Sequence, residues 1–422
     1  MLSLQLLTMP GTWVTSDQAE MIFTARRLLA VGRFDFADAG QKVPVLPWLL
    51  AEPGKPPKPR LFPGTPLALA PLVALDRMLG LDTTPDLGTI VHLEGPLFVA
   101  LALLMIGLAL RHGGASDRAT VVAVLIAGSA WPIWQVSRRA GAEPLLAVLV
   151  AAFLLASARR RVRVQGVLVF ALPWCHPTGS LMAPALALGE AFLPEAGNES
   201  RRNAWMRAGR LLAAALAGTA STALVWNGWY HGSLGGGYAL YGVLGAVLRM
   251  SPLQVAAFYL KESFLHVPLL LMLCGAAAMA GGREGRKQFV VPLVLLTLHM
   301  LLFSYYSNSF LIEPARRLAV VWLTFGFALG GTFDRLRLSE KTSAVLVLLS
   351  LLSGVYWYRL VEANYYVWPD GSYEPLVWWI TLAVAGGTTA LWAGPIVALA
   401  CVAAFAAFRL GRAFAPAKNG IE

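Results

Sequence analysis

The sequence predicts an all-α, polytopic membrane protein with a large first outer loop that carries interfacial helices. Three observations predict it. The 422 residues are 57% hydrophobic and only 14% charged, and mean hydropathy is +0.62, a balance that soluble domains do not show. The apolar residues gather in long runs, many close to membrane length. The loops between them differ in charge by alternation. Loops 111–118, 159–163, 201–210, 283–287 and 335–341 are rich in Arg and Lys, whereas 137–142, 227–262, 305–317 and 362–374 hold most of the polar side chains suited to chemistry. The positive-inside rule assigns the first set to the cytoplasm and the second to the outer face.

The net charge of +11 does not point to nucleic acid. The cations sit in loops between apolar runs, where topology and anionic headgroups account for them, and no basic stripe interleaved with aromatics occurs. The three cysteines, Cys175, Cys274 and Cys401, lie far apart in apolar segments. That spacing predicts packed thiols rather than a disulfide framework or metal ligands.

Taken in order, residues 1–13 are apolar but short of the roughly 20 residues that a span needs. They read as the outer end of a helix that begins upstream, or as an interfacial anchor. Residues 17–30 predict an amphipathic surface helix, with Met21, Ile22, Ala25, Leu28 and Leu29 on one face and Asp17, Glu20, Thr24 and Arg27 on the other. Lys55-Pro56-Pro57-Lys58-Pro59-Arg60 is an extended basic segment. Residues 61–79 are apolar, but Pro63, Pro66, Pro71 and Asp76 argue against a clean span. They are read as interfacial or re-entrant, which makes 14–86 one outer loop. Further helices are expected at 87–110, 119–136, 143–158, 164–174, 179–193, 211–226, 264–280, 289–304, 314–330, 343–359 and 375–408, the last broken near Pro395. Helices are expected throughout because a lipid-exposed backbone must satisfy its own hydrogen bonds.

The outer segments carry a family resemblance. Ser16-Asp17-Gln18-Ala19-Glu20, running into Ala25, Leu29 and Gly32, resembles the first outer-loop motif of GT-C glycosyltransferases, with Gln18 where many relatives have a second acid. Phe62-Pro63-Gly64-Thr65-Pro66-Leu67 resembles the proline-rich stretch that follows it. Ser137-Arg138-Arg139-Ala140-Gly141-Ala142-Glu143-Pro144 resembles the second outer loop with its acid at Glu143, and Asn227-Gly228-Trp229-Tyr230-His231-Gly232-Ser233 with Tyr238 resembles a bacterial outer-loop pattern. Glu313-Pro314-Ala315-Arg316-Arg317 is a looser match to a later motif.

The resemblance implies a GT-C-like transmembrane bundle over 1–332, with C-terminal membrane helices over 333–422. It also implies an enzyme of the kind that includes protein O-mannosyltransferases and lipid A aminoarabinose transferases. Such an enzyme moves a sugar from a polyprenyl-phosphate donor to a hydroxyl of a lipid, glycan or protein acceptor, with inversion. On this view Asp17 is the catalytic carboxylate. Glu143 assists it, or shares a divalent cation with it (Mg2+ or Mn2+). Arg138, Arg139, Lys58 and Arg316 bind the donor phosphate, and Asn227 and Tyr238 bind substrate. Arginine-rich inner loops and the lack of a disulfide framework suit a bacterial inner membrane, with the site facing the periplasm or exterior.

Plainer roles stand beside these. Asp17 and Glu20 have the spacing of a capping box, which is the preferred reading of Glu20. Glu143 with Pro144 suits a helix start. Arg138 and Arg139 suit headgroup anchors. Arg316 and Arg317 break the inside bias, which favours function. His176 reads as structural, the Asn198-Glu199-Ser200 sequon lies in a cytoplasmic loop, and Trp368, Trp378 and Trp379 read as interface-belt aromatics. Two rivals remain: a transporter or flippase of a lipid-linked glycan, and a catalytically inactive GT-C relative. A transporter should place polar groups at mid-helix depth and repeat its halves; here they gather in outer loops, and no repeat is evident.

Overall fold

The computed structural model describes residues 16–36, 58–59, 61–81, 90–137, 140–192, 201–234, 267–305 and 318–365. Within them the protein is all-helical, with 14 α-helices and no strand. Two helical stretches, Ile90–His112 and Arg201–Tyr230, are long and apolar enough to cross a membrane, and a bent pair at Asp117–Ser137 makes a third if it counts as one span. The expected helix at 375–408 lies outside the described residues.

Two helices form a small module of their own. Helix α1 (Ser16–Val31) and helix α2 (Gly64–Met78) pack together. Met21, Ile22 and Ala25 of α1 meet Leu69 and Val73 of α2, and Leu61, Val91 and Ala140 complete the cluster. Helix α1 stops at Gly32, whose left-handed φ of +68° lets its N–H reach Leu28 O at 2.8 Å. Two expectations for α1 are corrected. Glu20 and Thr24, expected on the polar face, are buried, while Leu29 is exposed. The helix also includes Ser16 and Asp17, so Asp17 is not an N-cap, and Glu20 turns elsewhere: its Oε1 accepts the Leu61 N–H at 2.9 Å. A buried chain partner, invisible to periodicity, redirects the face.

The proline-rich stretch 61–79 is mostly helix despite Pro71 inside it. Its 15 residues extend only about 22 Å at 1.5 Å per residue, short of a bilayer core. Gly64 lies so close to helix α7 (Val162–Cys175) that a Cβ there would sit 2.8 Å from Trp174 O. Asp76, the acid that argued against a span, has a structural job. Its carboxylate accepts the N–H groups of Ile90 (2.7 Å) and Val91 (2.9 Å) and so caps the 3-10 turn Ile90–Leu93.

The main bundle follows. Helix α3 (Glu94–His112) packs along α6 (Ala142–Ala158). The expected helix 119–136 is two pieces, α4 (Asp117–Ser129) and α5 (Trp131–Ser137), bent by 70°. Pro132 explains the break: its ring cannot follow a continuous helix, and Ala130 turns extended (ψ 130°) just before it. Helix α7 leads to α8 (Gly179–Gly189) and α9 (Arg201–Ser221), so the basic stretch 201–210 is helix rather than loop. Helices α10 (Pro268–Ala280), α11 (Gly282–Gln288), α12 (Val290–Tyr305), α13 (Ala319–Thr332) and α14 (Glu340–Tyr365) complete the set, and the basic stretch 283–287 is likewise helical. Gly326 and Gly330 of α13 sit so near Ala127 and Leu110 that no side chain would fit without a shift, the small-residue packing that membrane bundles use.

Basic segments meet at one end of these helices. Arg118 donates to Leu338 O and to Ser343 Oγ (2.7 Å). Ser116 N–H and Oγ–H donate to the Asp334 carboxylate (3.1 and 2.7 Å). Arg159 Nε donates to His112 Nε2 at 3.0 Å, and Arg335 to Gly281 O at 3.0 Å. The α1–α2 module sits at the other end, against Val91, Ala140 and the end of α7.

Candidate functional site

The site is built where α9 changes character. Thr222–Tyr230 continues α9 as a π-helix, a rare form found often at functional sites. The local sequence favours the change. Ser221 and Thr222 hydroxyls both donate to Gly218 O (2.8 and 2.9 Å), and Thr219 donates to Ala215 O (3.1 Å). Such back-bonding loosens and bends helices. Gly218 itself presses on α7, where a Cβ would lie 2.4 Å from Phe170 O. The segment ends with the His231 N–H donating to Trp226 O at 3.2 Å, five residues back.

Rings converge at that end. Trp226 stacks on Tyr230 with centroids 4.4 Å apart and planes 13° apart. Phe34, from the stretch after α1, meets Trp226 edge-on at 5.4 Å. His231 meets both rings edge-on, at 5.4 and 4.9 Å. Lys58 supplies a cation: its Nζ lies 4.8 Å from the centre of the Tyr230 ring and donates to Tyr230 O. Asn227 closes the following turn, donating from Nδ2 to Leu234 O at 3.1 Å while its own backbone O accepts from Ser233 N–H. Burial first, and the Lys58 charge second, push the His231 ring down from 6.5 to about 4. The imidazole is therefore neutral at physiological pH.

A second feature sits at the same end. Glu94, wholly buried at the start of α3, accepts the Gly141 N–H on Oε2 at 2.9 Å, while its Oε1 has no hydrogen-bond partner among the described residues. Glu143 is near enough to act on it electrostatically. Two carboxylates thus flank the 140–142 turn. A divalent cation of the Mg2+ type needs near-octahedral oxygen coordination, and no group of three His, Cys, Asp or Glu side chains occurs among the described residues. Glu94 and Glu143 alone are an incomplete ligand set for such an ion, and the side chain of Asp17, the expected partner of Glu143, lies outside the described residues.

The sequence-predicted site residues divide accordingly. Lys58 and Asn227 come to the same helix end, and Glu143 joins Glu94. Asp17 lies in the first turn of α1, but its side chain falls outside the described residues, as do Arg138, Arg139, Arg316 and Tyr238 altogether. The expected outer loop 227–262 begins instead as helix, through Tyr230. Glu94 lies outside the sequence motifs, although a lone acid opening an apolar run is itself a signal. Tyr230 and His231 belong to the Asn227–Ser233 motif with no role evident from sequence, and Trp226 and Phe34 lie outside every motif. The run of Trp, Tyr and His at the end of an apolar helix was the available clue.

No family model, characterised protein or solved structure matches this chain.

Proposed function

We propose that this is a multi-pass membrane glycosyltransferase of GT-C type, working on the outer face of the membrane, in keeping with a bacterial inner membrane. It moves a sugar from a polyprenyl-phosphate donor to a hydroxyl of a lipid, glycan or protein acceptor. One observation carries the reading. Segments far apart in sequence meet at the end of the bundle away from the basic loops 111–118, 159–163 and 335–341: Glu20 holds Leu61, Ala140 packs against α1 and α2, and Lys58, three residues before Leu61, holds Tyr230.

The chemistry asks for those parts. The acceptor oxygen attacks the anomeric carbon from one side, and the bond from that carbon to the phosphate oxygen breaks on the other. The configuration inverts, and the acceptor proton passes to a carboxylate. Asp17 is that base, with Glu143 as its support. The departing phosphate carries the electron pair, and cations stabilise it; Lys58, Arg138, Arg139 and Arg316 are the proposed cations. Tyr238, with Asn227, belongs to the proposed substrate contacts.

The buried Glu94 favours one rival, because an ionisable group in a membrane helix often marks a transport path. Purified protein in proteoliposomes separates the two. With radiolabelled polyprenyl-phosphate-mannose, -glucose or -arabinose and a membrane extract as acceptor, a transferase moves label from the lipid to a new product. Label that crosses the bilayer still attached to its lipid, with no product formed, identifies a transporter instead.

A further inference from the structure

The end of the π-helix holds more unanswered hydrogen-bonding capacity than the fold explains. Trp226 Nε1, Asn227 Oδ1, the Tyr230 hydroxyl and both ring nitrogens of His231 are buried, with no hydrogen-bond partner among the described residues. His231 is only 5% exposed. Buried polar atoms without partners cost free energy, and native proteins keep few of them. Five within six residues, beside Lys58 and near enough to Asp35 for its charge to act on Tyr230, suit a ligand that brings polar groups of its own.

Their chemistry narrows that partner. The indole offers a donor, the amide oxygen an acceptor, the phenol both, and a neutral imidazole one of each. Trp226 and Tyr230 turn their faces toward each other, so the polar tips rather than open ring faces remain for a ligand. A flat base needs an open face, and an acyl chain uses none of the polar atoms. A ring bearing several hydroxyls matches the set, and the Lys58 ammonium matches a phosphate attached to it.

We propose that Trp226, Asn227, Tyr230 and His231, beside Lys58, form the pocket for the sugar ring of the lipid-linked donor. The inference rests on the transferase reading and adds which residues read the sugar. Asn227 was expected to touch substrate; Trp226, Tyr230 and His231 are new to the site.

The test is equilibrium binding to protein in nanodiscs, with polyprenyl-phosphate-mannose, -glucose and -arabinose against sugar-free polyprenyl phosphate. Wild type should bind at least one sugared lipid more tightly than the bare one. Tyr230→Phe removes one oxygen, and His231→Phe keeps a ring but removes both nitrogens. Each should weaken the sugared lipid by about 3- to 10-fold, the worth of a hydrogen bond, and leave the bare lipid unchanged. Thermal melts show whether each variant is folded; if His231→Phe is not, Tyr230→Phe decides alone. Wild-type affinity in a folded variant, equal losses for both lipids, or no preference for any sugared lipid in the wild type would overturn the assignment. Binding is read without turnover, so the two readings fail separately. Sugar preference without transfer keeps the pocket and removes the transferase; transfer without sugar preference does the reverse.

Discussion

Glu94 shows how one side chain can shape a site it was not expected to join. Its Oε2 fixes Gly141, and Gly141 leads directly into the helix turn that presents Glu143. Glu94→Ala leaves the buried Gly141 N–H without that acceptor, which should lower stability by about 1–3 kcal/mol. Glu94→Gln keeps an acceptor of the same shape and should be much milder. Thermal melts in detergent compare the two; equal melting of the Ala and Gln variants would show that the bond does not matter. His231 gives a pH signature. Its folded value of about 4 lies below its ordinary 6.5, so the unfolded chain takes up the proton first as pH falls. The stability due to the neutral buried ring is complete above about pH 6.5 and is lost progressively as pH falls toward 4. His231→Phe should flatten the stability profile across that window. Neither residue's environment could be read from sequence, because each depends on groups brought from far along the chain: Gly141 for Glu94, Lys58 for His231.

Helices were the most legible part of the chain, and their errors have definite causes. The apolar runs located α6, α7 and α12 within two residues at each end and the C-terminal ends of α3, α10 and α13 equally well. The break at Pro132 was readable from the rule that proline disrupts a helix interior, yet 119–136 looked continuous because the apolar run is continuous. The face of α1 was half right: Met21, Ile22 and Ala25 are core, while Glu20 is pulled inward by the Leu61 N–H. The π-helical continuation of α9 has no apolar signature. It depends on Ser221 and Thr222 bonding back to Gly218 O and on the closeness of Gly218 to Phe170. Gly218→Ala puts a methyl 2.4 Å from Phe170 O, against backbone that cannot step aside. The variant should lose about 1–3 kcal/mol to overpacking and disturb the ring cluster at Trp226. Reduced melting temperature with altered tryptophan emission is the expected result; a wild-type melt and spectrum would mean that the two helices can part at no cost.

For the molecule as a whole, the alternation of basic and polar loops carried the reading furthest. It separates 111–118, 159–163 and 335–341 from 137–142 and the Asn227 turn, and the first group is joined through Arg118, Arg159 and Asp334. In the second group Ala140 packs into the α1–α2 cluster, Gly141 is held by Glu94 of α3, and Tyr230 is held by Lys58. Pro63, Pro66, Pro71 and Asp76 pointed 61–79 away from a clean span, and its helix of 15 residues is short for one, but the sequence could not supply its packing against α1 and the end of α7. Nor could it say which polar residues touch. The central claim is that the carboxylate at the head of α1 serves sugar transfer. It is tested most directly by assaying Asp17→Asn beside Glu20→Gln in proteoliposomes with labelled polyprenyl-phosphate sugar. Asparagine keeps the shape of the side chain and removes its charge, and glutamine at position 20 can still accept from Leu61 N–H. The account predicts that Asp17→Asn binds donor but forms no product, while Glu20→Gln retains most turnover. Full turnover by Asp17→Asn would contradict it.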